Sequence, residues 1–94
     1  MLRFEWDPSK DRANIKKHGV SFTEASSIFH DPTTLVASDM EHSRDESRFI
    51  AVGFSVLHRL LLVAHCYRAG DEVIRVISAR KTTPRERRQF EEGL

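Results

Sequence analysis

Arg59, His65 and Arg80 are of the types that handle a phosphodiester when they converge. Guanidinium forks make bidentate, charge-assisted hydrogen bonds to phosphate and keep their charge at any physiological pH. Imidazole titrates near neutrality and can move a proton. Cleaving RNA without a metal needs an acceptor for the 2′-hydroxyl proton and a donor for the leaving oxygen, and His65 is the first candidate for that work. Glu86 is a second, at the start of a helix where phosphate also binds, although a carboxylate there more often only caps a backbone amide. Positive charge gathers in the same region: six of the fifteen Lys and Arg residues lie between Arg75 and Arg88, whereas the segment from Asp39 to Glu46 holds four acids against one arginine. The net charge of +1 hides that polarity.

Each candidate also has a plain reading. A lone histidine on an apolar strand is more often a packing residue than a catalyst. Arg75 can pair with a carboxylate in a partner or at the sheet edge. Arg85, Arg87 and Arg88, interleaved with Glu86, Glu91 and Glu92, can form a solvated helix face laced by pairs three or four residues apart.

The elements that must position these groups are legible from period and punctuation. Leu2, Phe4 and Trp6 alternate with polar residues as in a half-buried strand, and Asp7-Pro8 ends it with an N-cap and a proline at the first helical position. A mostly exposed helix then runs to His18, with Gly19 as its stop. Ser21-Phe22-Thr23-Glu24 has the form of a capping box, and Phe22, Ala25, Ile28 and Phe29 recur at helical spacing up to about His30. Leu35 to Ala37 is a short strand, followed by an acidic loop over 38–47. Arg48 to Phe54, Arg59 to Arg68 and Val73 to Arg80 are three more strands, whose short links imply an antiparallel meander. Thr83-Pro84-Arg85-Glu86 opens a final helix whose apolar residues are Phe90 and Leu94.

The bulk numbers narrow the class. Ninety-four residues make one domain, 1–94, with a modest core. One cysteine, Cys66, excludes an internal disulfide and a Cys-rich zinc module, and fits a reducing cytoplasm. The longest apolar run, Leu60 to Ala64, is of strand length, so no membrane span is expected. The weak net charge argues against a non-specific polyanion binder. The remaining histidines are scattered, so no metal and no cofactor is assigned.

If Arg68 lies opposite Val73, odd positions of one strand share a face with even positions of the next. Arg59, Leu61, Val63, His65 and Tyr67 then lie beside Ile74, Val76, Ser78 and Arg80. Leu60, Leu62, Ala64 and Cys66, with Arg75, Ile77 and Ala79, form the more uniformly apolar face and the expected bed for the first two helices. On that register Arg59, His65 and Arg80 form a working face on the other side.

Taken together, Phe4-Glu5-Trp6-Asp7-Pro8, Asn14, Lys17-His18-Gly19-Val20-Ser21-Phe22, Glu24-Ala25, Asp31-Pro32, Glu46 to Gly53, Arg59-Leu60-Leu61 and Ile74 to Arg80 with Glu86-Arg87 give the chain a specific likeness over nearly its whole length. It resembles the BrnT-type toxins of prokaryotic toxin-antitoxin modules, relatives of the RelE-like ribonucleases. The resemblance implies an α+β fold in which two N-terminal helices pack on one face of an antiparallel sheet, a short C-terminal helix follows, and the opposite face is a basic RNA-cleaving groove. It implies that Arg59 and Arg80 contact the scissile phosphate, with Arg87 in the basic segment that follows; the residue chemistry adds His65 as a catalytic candidate, and Arg75, Lys81, Arg87 and Phe90 are the expected RNA contacts. Phe90 stands where related chains often carry tyrosine, and a phenyl ring can stack on a base but cannot exchange a proton. The resemblance also implies a metal-independent endoribonuclease that inhibits translation, a cognate BrnA-type antitoxin that masks the groove, and operator DNA bound only through the antitoxin complex. The reading from another class is a non-catalytic module whose basic sheet face docks a protein or RNA.

Overall fold

A computed structural model describes residues 2–39 and 47–93. The chain runs β1 (Arg3–Glu5), α1 (Pro8–His18), α2 (Phe22–Ser27) continued by one 3-10 turn (Ile28–His30), β2 (Leu35–Ser38), β3 (Phe49–Phe54), β4 (Leu60–Arg68), β5 (Val73–Lys81) and α3 (Pro84–Glu91). Residues 40–46, most of the expected acidic loop, and Leu94 lie outside the described residues. The strands form one sheet in the order β1-β5-β4-β3-β2. From β2 to β5 it is the expected antiparallel meander, and β1 joins the far edge parallel to β5, which the sequence reading did not foresee.

Local chemistry sets the helix ends. The Asp7 carboxylate accepts from the Ser9 amide at 2.8 Å, and Gly19, at φ 70°, turns the chain out of α1. Ser21 caps α2 by accepting from the Glu24 amide. The second half of the expected capping box is not made there, because the Glu24 carboxylate is turned inward to other partners. In α2 the Ser26 and Ser27 hydroxyls donate back to the Thr23 and Glu24 carbonyls, and the helix tightens into the 3-10 turn. The α3 box is complete: the Thr83 hydroxyl accepts from the Glu86 amide, and Glu86 accepts from the Thr83 amide at 2.8 Å.

The core lies between the sheet and the first two helices. Val20, Phe22, Ala25 and Ile28 pack on Ala51, Leu61, Val63, Val76 and Ala79, flanked by Trp6 and Phe29. The odd positions of β4 therefore face the helices, the reverse of the expected bed. Two facts account for the reversal. His65 is an apolar-compatible core residue here, with no exposed surface, ringed by Phe29, Phe49 and Tyr67 at centroid distances of 4.8, 5.9 and 5.3 Å. The other apolar face also has a cover, since Phe90 of α3 meets Phe54 of β3 on that side.

The β4–β5 register begins as expected, with Arg68 opposite Val73 and His65 opposite Val76, but the next pair is Ala64 with Ser78. Ile77 is the extra residue of a bulge, and it flips the remainder of β5. Ala79 now faces the core and Arg80 faces away from the helices, opposite Leu62.

Asn14 fixes that phase. Its carboxamide nitrogen donates to the Ala79 and Val20 carbonyls, each at 2.8 Å, and its oxygen accepts from the Ala79 amide at 3.2 Å. β1 pairs only with Val73 to Arg75, so the side chain takes the place of a neighbouring strand at Ala79. Gly53 reflects an equally close approach on the same face, since a Cβ there would lie 1.9 Å from Thr34 Oγ1, which itself donates to the Ile28 carbonyl. Asn14→Ala leaves buried donors and acceptors without partners. It should lower unfolding free energy by about 2–4 kcal/mol, read as a shift of the denaturant midpoint, and a shift near zero would show that the clamp is dispensable.

Candidate functional site

The residues expected to converge are divided between the two sides of the sheet. Arg59 sits on the helix side, at the base of β4. Its Nε donates to Glu24 Oε2 at 2.9 Å, one terminal nitrogen pairs with Glu24 Oε1, and the same nitrogen donates to the Gly19 carbonyl at 3.0 Å. The Ser55 hydroxyl adds a third bond to the same carboxylate at 2.7 Å. With 6% of the Glu24 side chain and 32% of that of Arg59 exposed, this is a partly buried latch that joins α2, the end of α1 and the β3–β4 turn. The Arg59 guanidinium, ahead of the Ser55 hydroxyl, holds the Glu24 carboxyl below its ordinary range. Arg59 therefore does not present a free fork to a phosphate.

His65 is also removed from any working surface. Its Nδ1 lies 3.3 Å from the Val63 carbonyl and its Nε2 3.4 Å from the Tyr67 hydroxyl, both long contacts. Burial lowers its pKa, which keeps the ring neutral near pH 7. The expectation of one face carrying Arg59, His65 and Arg80 is thus corrected: a β-bulge and a buried imidazole, neither signalled by parity, separate the three.

What gathers on the face away from α1 and α2 is a different set. Leu35, Val36 and Ala37 of β2, Ile50 and Val52 of β3, and Leu62 of β4 line a groove of about 340 Å³ closed on one side by Glu86, Gln89 and Phe90 of α3. The floor is apolar and the cations stand around it, which corrects the expectation of a basic sheet face. Arg80 grips Glu86 through both terminal nitrogens, at 2.8 and 2.9 Å. The pair is more open than the Arg59 latch, with 38% of the Arg80 side chain and 26% of that of Glu86 exposed. The Arg80 fork, aided by the Thr83 amide, holds Glu86 down at a pKa of about 2 against a burial effect of opposite sign. Arg87 lies over the Phe54 ring at 5.8 Å, and Phe90 meets that ring edge-on at the same distance.

The other two candidates lie apart. Arg75 shares the open side, opposite Cys66, and not the helix side as expected; its guanidinium pairs with Glu5 of β1 at 2.7 Å. Lys81 is exposed at the end of β5, opposite Leu61 and so on the helix side. Sequence reasoning weighed Glu86 only as a minor candidate and missed Phe54 and the groove itself. The Thr-Pro-Arg-Glu cap was the available signal for Glu86.

Residues 6–86 match the family model described as the ribonuclease toxin BrnT of type II toxin-antitoxin systems. No curated protein matches the chain. Among solved structures, the crystal structure of the Brucella abortus ribonuclease toxin BrnT is similar in fold, with a TM-score of 0.65 and 24% identity over 88% of this chain and 99% of that one.

The latch makes a prediction separate from activity. Arg59→Ala strands a buried carboxylate and should cost about 2–4 kcal/mol in chemical denaturation. Glu24→Gln combined with Arg59→Ala should cost less than Arg59→Ala alone. Equal costs would mean that the charge on Glu24 plays no part.

Proposed function

The chain belongs to the BrnT family of ribonuclease toxins of type II toxin-antitoxin systems, and on that basis we propose that it cleaves RNA at the open sheet face, with Arg80 as the phosphate-binding residue. The observation that carries this reading is the Arg80 fork on the open side of β5, held by Glu86, which with Phe90 closes one side of the groove, while Arg87 lies over the neighbouring Phe54 ring. A bidentate guanidinium recognises a phosphodiester and neutralises the charge that develops as the bond breaks. Phe90 and Phe54 offer ring faces and edges to unstacked bases, as proteins that read single-stranded RNA do. Arg87 adds a cation beside them, and Arg75, further along the open side, extends the charge past the groove.

In this reading the reaction is metal-independent, because the guanidinium supplies the positive charge a metal would otherwise provide. The 2′-hydroxyl attacks the phosphorus and the 5′-oxygen leaves. RNA cleaved in this way stops translation. A cognate antitoxin of the BrnA type neutralises the toxin by covering the same groove, presenting apolar side chains to Leu35, Ile50, Val52 and Leu62 and acidic ones to the arginines at the rim. Operator DNA is contacted through the antitoxin complex, and the setting for all of this is the cytoplasm. No described helix is long and apolar enough to cross a membrane.

Purified antitoxin-free chain incubated with RNA in chelator should produce fragments, and Arg80→Ala should slow their appearance about 100-fold, the loss of ~3 kcal/mol expected for one preorganised donor. Equal cleavage by the two proteins would place the site elsewhere. RNA binding with no cleavage, with or without ribosomes, would favour the non-catalytic module.

A further inference from the structure

Arg80 is not free in the folded chain. Its fork is filled by the Glu86 carboxylate, in the two-bond geometry a phosphate would use. Arg80 Nη1 also donates to the Lys81 carbonyl at 3.2 Å, a bond that does not involve the carboxylate. We propose that Glu86 is both the mask and the general base of this site: the RNA phosphodiester displaces the carboxylate from Arg80, and the released carboxylate takes the 2′-hydroxyl proton. The inference rests on the ribonuclease reading and adds the residue that moves the proton.

The exchange is balanced in charge. A phosphodiester carries one negative charge, as Glu86 does, so the guanidinium trades one anion for another and keeps its bonds. The displaced carboxylate is not stranded. It lies at the first turn of α3, where Oε1 already accepts from the Thr83 amide at 2.8 Å, and a quarter of its side chain, 26%, is open to solvent. Thr83 thus acts as a hinge point that holds Glu86 within reach of the sugar while its other oxygen becomes available.

The exchange also alters the carboxylate as a base. Paired with Arg80, Glu86 is held at a pKa of about 2 and is a poor proton acceptor. Loss of the Arg80 hydrogen bonds, the main cause of that depression, raises its proton affinity at the moment a hydroxyl is delivered, which is the direction efficient base catalysis requires. Arg80 from β5 is the charged group bonded to this carboxylate, and β2, β3 and β4 present Leu35, Ala37, Ile50, Val52 and Leu62 to the groove beside it. That apolar lining leaves the exchange with Arg80 as the controlling electrostatic event. In the step itself, the 2′-oxygen forms its bond to phosphorus as its proton passes to Glu86. The bond from phosphorus to the 5′-oxygen breaks with its electron pair on that oxygen, which takes a proton from water.

Three readouts test this together. Glu86→Gln keeps an oxygen to accept from Thr83, preserving the cap, but cannot hold Arg80 as an anion or take the proton. It should bind an uncleavable 2′-O-methyl RNA at least about threefold more tightly than the wild type, yet cleave ordinary RNA at saturation about 100-fold more slowly. Carboxyl NMR of the wild type should show Glu86 titrating at higher pH with the 2′-O-methyl RNA bound than without it, a measurement independent of any variant's folding. Undiminished cleavage by Glu86→Gln at saturating RNA would overturn the base role. Weaker RNA binding by that variant, or a Glu86 titration unmoved by RNA, would overturn the mask. Wild-type cleavage is the control for the parent reading: its absence would sink the ribonuclease function and the proton step together, whereas cleavage by the wild type with an unimpaired Glu86→Gln would sink the proton step alone.

Discussion

A single extra residue in β5 decides on which side of the sheet Arg80 stands. With Ile77 bulged out, Ala79 points into the core and Arg80 points away from the helices. Without the bulge, alternation would send Arg80 under α1 and α2, opposite Leu61 and on the same face as His65. The bulge is held in phase by Asn14, whose side chain bonds both backbone groups of Ala79 and so ties the register of the strand to the first helix. Every later placement follows: Arg80 outward, Glu86 onto Arg80, α3 oriented by its capping box, and Phe90 laid against Phe54.

Two arginine–glutamate pairs of similar chemistry therefore serve different ends. Arg59–Glu24 is surrounded by Ser55 and the Gly19 carbonyl, and removing either ion leaves the other in a poorly solvated place, so it secures the fold. Arg80–Glu86 stands at the mouth of a groove, close enough to water for an incoming anion to replace the carboxylate. Position, not residue type, separates the structural pair from the one proposed to exchange.

Much of the fold was legible in the chain. Strand and helix limits followed from alternation, from Asp7-Pro8, Gly19 and Thr83-Pro84, and from the stripe of Phe22, Ala25 and Ile28, all of which occupy the expected places. The site was less legible because its placement turns on facts that local pattern does not carry. A bulge leaves no mark in a run such as Val73 to Ala79, where apolar residues occupy both parities. The apolar character of Leu60, Leu62 and Ala64 points to a bed for the helices, yet this face lies away from α1 and α2, and Leu62 lines the groove there. His65 shows the converse: a polar side chain on the core face, tolerated because aromatic rings enclose it. The plain reading of that residue, packing, was the better one, as was the pairing of Arg75 with a carboxylate at the sheet edge.

In the proposed function RNA meets the face bearing Arg80 and Phe90, and not the face under α1 and α2. Titration of the labelled protein with 2′-O-methyl RNA, followed by NMR, maps the contact directly. Resonances of Arg80, Glu86, Phe54, Phe90 and Leu62 should move together, with Arg59 and Glu24 unmoved. Movement centred on Arg59, Glu24 and Gly19 with Arg80 silent would contradict it.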